Sequence, residues 1–166
     1  MANTTLITPG VQPIRFFIDS ADRDQVSAWL KTGMFSGVTT NPQLLREAGQ
    51  RVANIPDIYD WARGGGAREV CFQVWGTTAE EQYRSAMLIR EAAPSATIKV
   101  PVTPCGAEVI SRLRDQDIQV LMTAVYSAKQ ALIASALGVP GDEEAPREGA
   151  GTSDPFAAAA RALQRR

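Results

Sequence analysis

Only three of the 17 basic residues are lysines: Lys31, Lys99 and Lys129. Lys99 is the one set inside an apolar run, Ala96-Thr-Ile-Lys-Val-Pro101. Burying an amine in such a run is costly unless it is paired or neutral. A desolvated lysine loses its proton more readily. The neutral amine attacks ketones and aldehydes and forms a Schiff base. The resulting iminium is an electron sink for making or breaking the adjacent C–C bond. That chemistry also needs a proton relay and groups that hold hydroxyls. Asp19, Asn41, Gln73 and Thr123 are residue types suited to those tasks.

Each of these residues also has a plainer reading. A lysine in a strand is commonly an edge charge. Asp19 can be the N-cap of the helix that follows it. Thr39 and Thr40 are ordinary strand residues, and Gln73 can be a satisfied core amide. Their recurrence at one place in successive elements favours the chemical reading. Short apolar runs alternate with helical patterns. Strands are expected over Ile14–Asp19, Gly37–Thr40, Val70–Val74, Ala96–Pro101 and Ile118–Val125, and helices over Asp22–Thr32, from Asn41-Pro42 onward, and over Ile55–Arg63, Thr78–Ala92, Gly106–Arg114 and Ser127–Leu137. Thr78 with Glu81 three residues on is a capping-box pattern. Five β-α repeats argue for a parallel sheet. Ligands of such sheets bind at the carboxyl ends of the strands. There the strands carry Asp19, Thr39-Thr40-Asn41, Gln73, Lys99 and Thr123. Alternation puts Phe17 with Asp19, Cys71 with Gln73, Thr97 with Lys99, and Leu121 with Thr123 and Val125. A closed barrel would turn these sets inward together.

Composition removes whole classes of function. The 166 residues carry a net charge of -1 and are 45% hydrophobic, which argues for one soluble globular domain and against a nucleic-acid binder. There is no histidine, and Cys71 and Cys105 are the two cysteines. Zinc sites, His-dependent triads and a disulfide framework are therefore not expected. Cys71 and Cys105 read as small buried hydrophobes, with a loop thiol as the other reading of Cys105. Gly64-Gly-Gly66 precedes a strand and reads as a flexible connection. No apolar run is long enough to span a membrane and no signal peptide is visible, so a cytoplasmic protein is the expectation.

Four segments together resemble the small transaldolase family, in its fructose-6-phosphate aldolase branch. They are Phe16-Phe-Ile-Asp-Ser-Ala21, Gly37-Val-Thr-Thr-Asn-Pro42, Thr97-Ile-Lys-Val-Pro-Val-Thr103 and Thr123-Ala-Val-Tyr-Ser-Ala-Lys-Gln130. The resemblance runs from about Ile14 to Gly138. It implies an α/β fold, the (β/α)8 TIM barrel, of which about five β-α units are present. It implies a class I aldolase without metal or organic cofactor, acting in carbohydrate metabolism on a dihydroxyacetone-type donor and a phosphorylated aldehyde. Lys99 matches the Schiff-base lysine, and Asp19 the aspartate that handles hydroxyls and protons. Gln73 and Thr123 match the pair that holds a catalytic water. Asn41, Thr40 and Ala124 match substrate-binding positions. Transaldolases proper usually carry glutamate where Gln73 stands, so Gln73 leans toward the aldolase, an aldehyde-lyase.

Two alternatives stand beside it: a transaldolase that transfers the three-carbon unit, and an inactive remnant or binding module. Partners would be a small sugar or sugar phosphate, with neither nucleic acid nor membrane, and homo-oligomers remain open. Family members continue with three more strands that supply a tyrosine, an arginine and a serine. Residues 139–166 match none of this. They read as an atypical tail, a loop plus a short Ala/Arg-rich helix, of the kind a shifted reading frame produces. Residues 1–138 are thus expected to form a partial barrel. Its open sheet would leave the inward side chains, Lys99 included, facing solvent and its first and fifth strands unpaired at the edges.

Overall fold

Five of the six α-helices among the described residues start where a short polar side chain accepts a backbone N–H. These caps are Asp22, Asn41, Thr78, Thr103 and Ser127. The computed structural model describes residues 15–140. Along the chain these are β1 (Phe16–Asp19), α1 (Arg23–Leu30), β2 (Phe35–Thr40), α2 (Pro42–Glu47), α3 (Ile55–Gly64), β3 (Glu69–Gln73), α4 (Ala79–Ala92), β4 (Thr97–Pro101), α5 (Pro104–Arg114), β5 (Val120–Thr123) and α6 (Ala128–Ala136). All the expected elements occur, with ends shifted by a residue or two. Ile14 and the expected helix over 155–166 lie outside the described residues.

The sheet order is β1-β2-β3-β4-β5, and every pairing is parallel. A doubly wound sheet reverses its strand order at a switch point. Here each strand is added beside the previous one, so the crossover helices collect on one side and the sheet curls. The curl can be measured across the strands. In a flat sheet β1 and β4 would lie about 14 Å apart, three spacings of about 4.8 Å. Yet Asp19 Oδ1 of β1 is 3.9 Å from Lys99 Nζ of β4. The five strands form a curled half-barrel with helices on its convex side.

The two faces differ in kind. Ile18, Val38, Val70, Phe72, Ile98, Val100, Val120 and Met122 pack against Val26, Leu30, Ile55, Ile58, Ile89, Val109, Ile110 and Leu113 of the helices. This apolar layer is the core. The register rows of the other face read Asp19-Thr39-Cys71-Thr97, then Gln73-Lys99-Leu121, then Pro101-Thr123. This concave face is polar, and it is not solvent-washed as an open sheet suggested. Thr39, Cys71, Thr97, Lys99, Leu121 and Thr123 are all buried. Curling brings side chains of the concave face toward one another, which removes them from water.

Two residues beyond α6 are tied to the core and the sheet. Gly138 adopts a left-handed φ of 63° that ends α6. The Arg114 guanidinium donates to the Leu137 carbonyl at the same point. Val139 then enters the core, and the Pro140 carbonyl accepts from Met122 N at 2.8 Å. Residues 139–140, expected to open a loop, are irregular, and through this one bond the edge of β5 is not wholly unpaired. Proline has no N–H to give, but this bond asks only for its carbonyl.

Gly37 sets how closely β2 and β3 approach. A Cβ there would run into the Glu69 carbonyl oxygen and the Phe17 ring. Gly37→Ala should therefore lower stability by roughly 1–3 kcal/mol through overpacking. Urea denaturation followed by far-UV circular dichroism measures it.

Candidate functional site at the concave face

Lys99 is 2% exposed and lies on an inner strand, between Gln73 and Leu121 in register. An edge charge would be neither buried nor central. A buried amine needs compensation, and the carboxylate of Asp19 stands 3.9 Å away. Asp19 does not cap α1; Asp22 does, accepting from Gln25 N at 2.8 Å. Asp19 is instead held by Thr39, whose hydroxyl donates to Oδ1 at 2.6 Å. Its side chain is 47% exposed, so the carboxylate joins the buried amine to solvent.

The other candidates reach this face differently. Gln73 is the last residue of β3 and is level with Lys99. Thr123 ends β5, two positions beyond Leu121 and so on the same face. Asn41 caps α2: its Oδ1 accepts from Gln43 N at 2.9 Å and Leu44 N at 3.0 Å. Its amide nitrogen is then the group it can offer a ligand. Ala124 follows β5 with a φ of 61°, a conformation that costs a non-glycine residue about 1–2 kcal/mol. It turns the chain from Thr123 toward the Ser127 cap.

Thr40 is not brought to the lysine. It pairs with Phe72, on the face turned to the helices. It is fully buried there, and its hydroxyl has no hydrogen-bond partner. Thr39, not Thr40, is the threonine of β2 that stands beside Asp19.

A second polar cluster lies deeper on the concave face. Glu69 Oε1 accepts from Thr97 Oγ1 at 2.8 Å and from Cys71 Sγ at 3.8 Å. Its Oε2 pairs with Arg15 at 2.6 Å. Cys71 is buried as expected, but its thiol donates to this carboxylate. Sequence reading passed over Glu69, although two-residue alternation back from Gln73 and Cys71 leads to it. Among the described residues, no three His, Cys, Asp or Glu side chains gather as a metal site, and no helix is long and apolar enough to cross a membrane.

The loop after Gln73 is fixed from α4. Glu81 accepts from Thr77 N at 2.7 Å, Thr77 Oγ1 at 2.9 Å and Thr78 N at 3.1 Å. These donors, the Thr77 amide first, hold its carboxyl below the ordinary glutamate value.

The family model for transaldolase/fructose-6-phosphate aldolase matches residues 16–150. The chain belongs to that family. The match passes Gly138, where the resemblance was expected to stop. A probable transaldolase of Rhodospirillum centenum is 32% identical over 126 residues, covering 75% of this chain and 53% of the relative. One from Exiguobacterium sibiricum is 33% identical over 129 residues, and one from Desulfosudis oleivorans 35% over 132, each covering 75% of this chain and 57% of the relative. The chain spans about half the length of the curated relatives it matches. Its fold is similar to dihydrodipicolinate synthase of Rhodopseudomonas palustris, with a TM-score of 0.51 at 15% identity, over 84% of this chain and 56% of that one. That likeness concerns the fold. In this transaldolase-family half-barrel, a carboxylate of the first strand faces one buried amine of the fourth.

Two outcomes test this account of the site. A double-mutant cycle of Thr39→Val and Asp19→Ala should give a coupling of about 1 kcal/mol in thermal unfolding, since the bond is to a half-exposed carboxylate. Zero coupling would remove Thr39 as the group that orients Asp19. Because the Glu81 value is depressed on folding, its stabilisation is present above the ordinary glutamate value and lost as pH falls through the depressed one. Glu81→Gln should flatten the acid side of the stability–pH profile, read by melting temperature between neutral and strongly acid pH.

Proposed function

We propose that the chain carries the Schiff-base machinery of a class I aldolase. The observation that carries this reading is a 2% exposed lysine on an inner strand, faced by a carboxylate that is itself open to solvent. Lys99 Nζ attacks the ketone carbon of a dihydroxyacetone-type donor, forming a carbinolamine. Loss of water gives the iminium. A proton then leaves the adjacent carbon, and its electron pair becomes the nucleophilic enamine. The enamine forms the new C–C bond with a phosphorylated aldehyde, and water releases the product and regenerates the amine. Asp19 is the group set to move protons at Nζ and at the carbinolamine oxygen. Gln73 and Thr123, at the ends of their strands, hold the water that serves the adjacent carbon. The Asn41 amide and the backbone at Ala124 contact the donor.

Transaldolase transfer of the same three-carbon unit is the second reading, favoured by the names of the curated relatives. Gln73 in place of a glutamate supports the aldolase. A cytoplasmic enzyme of carbohydrate metabolism accompanies either reading, and an inactive remnant is the reading that both must exclude.

Incubation with dihydroxyacetone, borohydride reduction, intact mass and peptide mapping decide the matter. A reduced adduct is expected on Lys99, with Lys31 and Lys129 unmodified and no adduct in Lys99→Met. A folded protein that takes no adduct overturns the Schiff-base reading for this chain. Adding an aldose phosphate to the loaded protein separates transfer from release.

A further inference from the structure

Helix α4 grips the loop after Gln73 with its buried side as well as with Glu81. Gln82 and Ser85 belong to that side, with Ala86 and Ile89. Ser85 is 1% exposed, and none of the chemistry above uses it. Its oxygen meets both backbone groups of Trp75, ten positions earlier in the chain. It accepts from the Trp75 amide at 3.0 Å and lies 2.9 Å from the Trp75 carbonyl. The hydroxyl has one proton to donate, and the Gln82 carbonyl at 2.8 Å shares it.

Trp75 is where β3 leaves the sheet. Gln73 ends the strand level with Lys99, and the Val74 amide donates to the Lys99 carbonyl at 2.9 Å. Beyond that bond the Trp75 backbone turns to Ser85. The next residues are held in turn. Gln82 Nε2 donates to the Gly76 carbonyl at 3.3 Å, and the Glu81 carboxylate accepts from the Thr77 and Thr78 amides. The Cys105 thiol donates to the Thr77 carbonyl at 3.9 Å from the first turn of α5, the helix after the lysine strand. Gly76, Thr77 and Thr78 are exposed, so their own burial does not call for this many ties. A group that must stand at a fixed place beside a reactive amine does call for them.

We infer that Ser85 is a positioning residue for Gln73. It fixes where β3 ends relative to Lys99, and with it the water that serves the carbon beside the ketone. This role rests on the Schiff-base reading above, and it separates two steps that share one amine. Attack of Nζ on the ketone and loss of water need Lys99 and Asp19, and Ser85 bonds to neither. Removal of a proton from the adjacent carbon needs the water held by Gln73 and Thr123.

Two measurements on Ser85→Ala in the full chain read these steps apart. Borohydride trapping with dihydroxyacetone reads the iminium, and peptide mapping places it on Lys99. Proton NMR in heavy water reads the second step. The enamine takes a deuteron where the proton left, and hydrolysis then releases labelled dihydroxyacetone and the free amine. Ser85→Ala should keep the trapped fraction within about twofold of wild type and slow deuterium uptake roughly tenfold or more, the scale of cost for a displaced group. Hydrogen exchange at the Trp75 amide should rise in the same variant. Ile58→Val, a core loss on α3, should leave the ratio of the two readouts unchanged. Gln82→Leu frees the Gly76 carbonyl and removes a buried oxygen without a partner, so it should shift the ratio as Ser85→Ala does. It stands in if Ser85→Ala does not fold. Equal loss of both readouts overturns the role of Ser85, and so does deuterium uptake at the wild-type rate. A wild-type chain that traps an adduct but takes up no deuterium also overturns it and leaves the Schiff base standing. A wild-type chain that traps no adduct overturns the Schiff-base reading and this role together.

Discussion

The meeting of Lys99 with Asp19 constrains everything around it. A primary amine sealed from water on an inner strand needs compensation, and the Asp19 carboxylate reaches it from three strands away. The pair therefore exists only while the sheet is curled. Curling in turn needs every crossover helix on the same side, each bringing an apolar face to the convex surface. The caps that start those helices, and the small residues that let strands approach, thus bear on the distance between two side chains on the opposite face. Thr39 completes the arrangement by fixing the carboxylate from the strand in between.

The concave face is layered, and the layers have different tasks. The deeper one joins Arg15, Glu69, Cys71 and Thr97 into a hydrogen-bonded cluster that ties β3 to β4 and to the start of β1. Above it stand the amine, the glutamine level with it, and the threonine at the end of β5. A buried polar layer is costly unless its members are bonded. In this cluster the Glu69 carboxylate supplies the acceptors. The half-barrel of a transaldolase-family chain thus carries a hydrogen-bonded floor beneath its buried amine.

Much of this was legible in the sequence. Lys99, Asp19, Gln73 and Thr123 follow from two-residue alternation once the strands are placed. The choice between Thr39 and Thr40 does not. β2 is buried on both faces, so its pattern carries no period of two, and only its register with β1 and β3 decides which threonine faces the lysine. Glu69 was hidden for a related reason: the apolar run begins at Val70, and the strand begins one residue earlier. The bond from Met122 N to the Pro140 carbonyl was not legible in the sequence. The neighbouring strand supplies the N–H, and local sequence does not report on neighbours.

Sequential strand order also shapes how the chain comes together in time. Each strand pairs with one reached through its own short crossover, so the sheet can grow unit by unit as the chain leaves the ribosome. No early unit must wait for a distant one before it can bury its apolar face. The Asp19–Lys99 contact is different. Asp19 is made with the first strand and Lys99 with the fourth, and four helices lie between them. The loop-closure entropy of that contact is met by pairings already formed rather than by the contact itself. The amine–carboxylate pair is thus a late product of assembly, and a nascent chain presents no buried amine until most of its scaffold is in place.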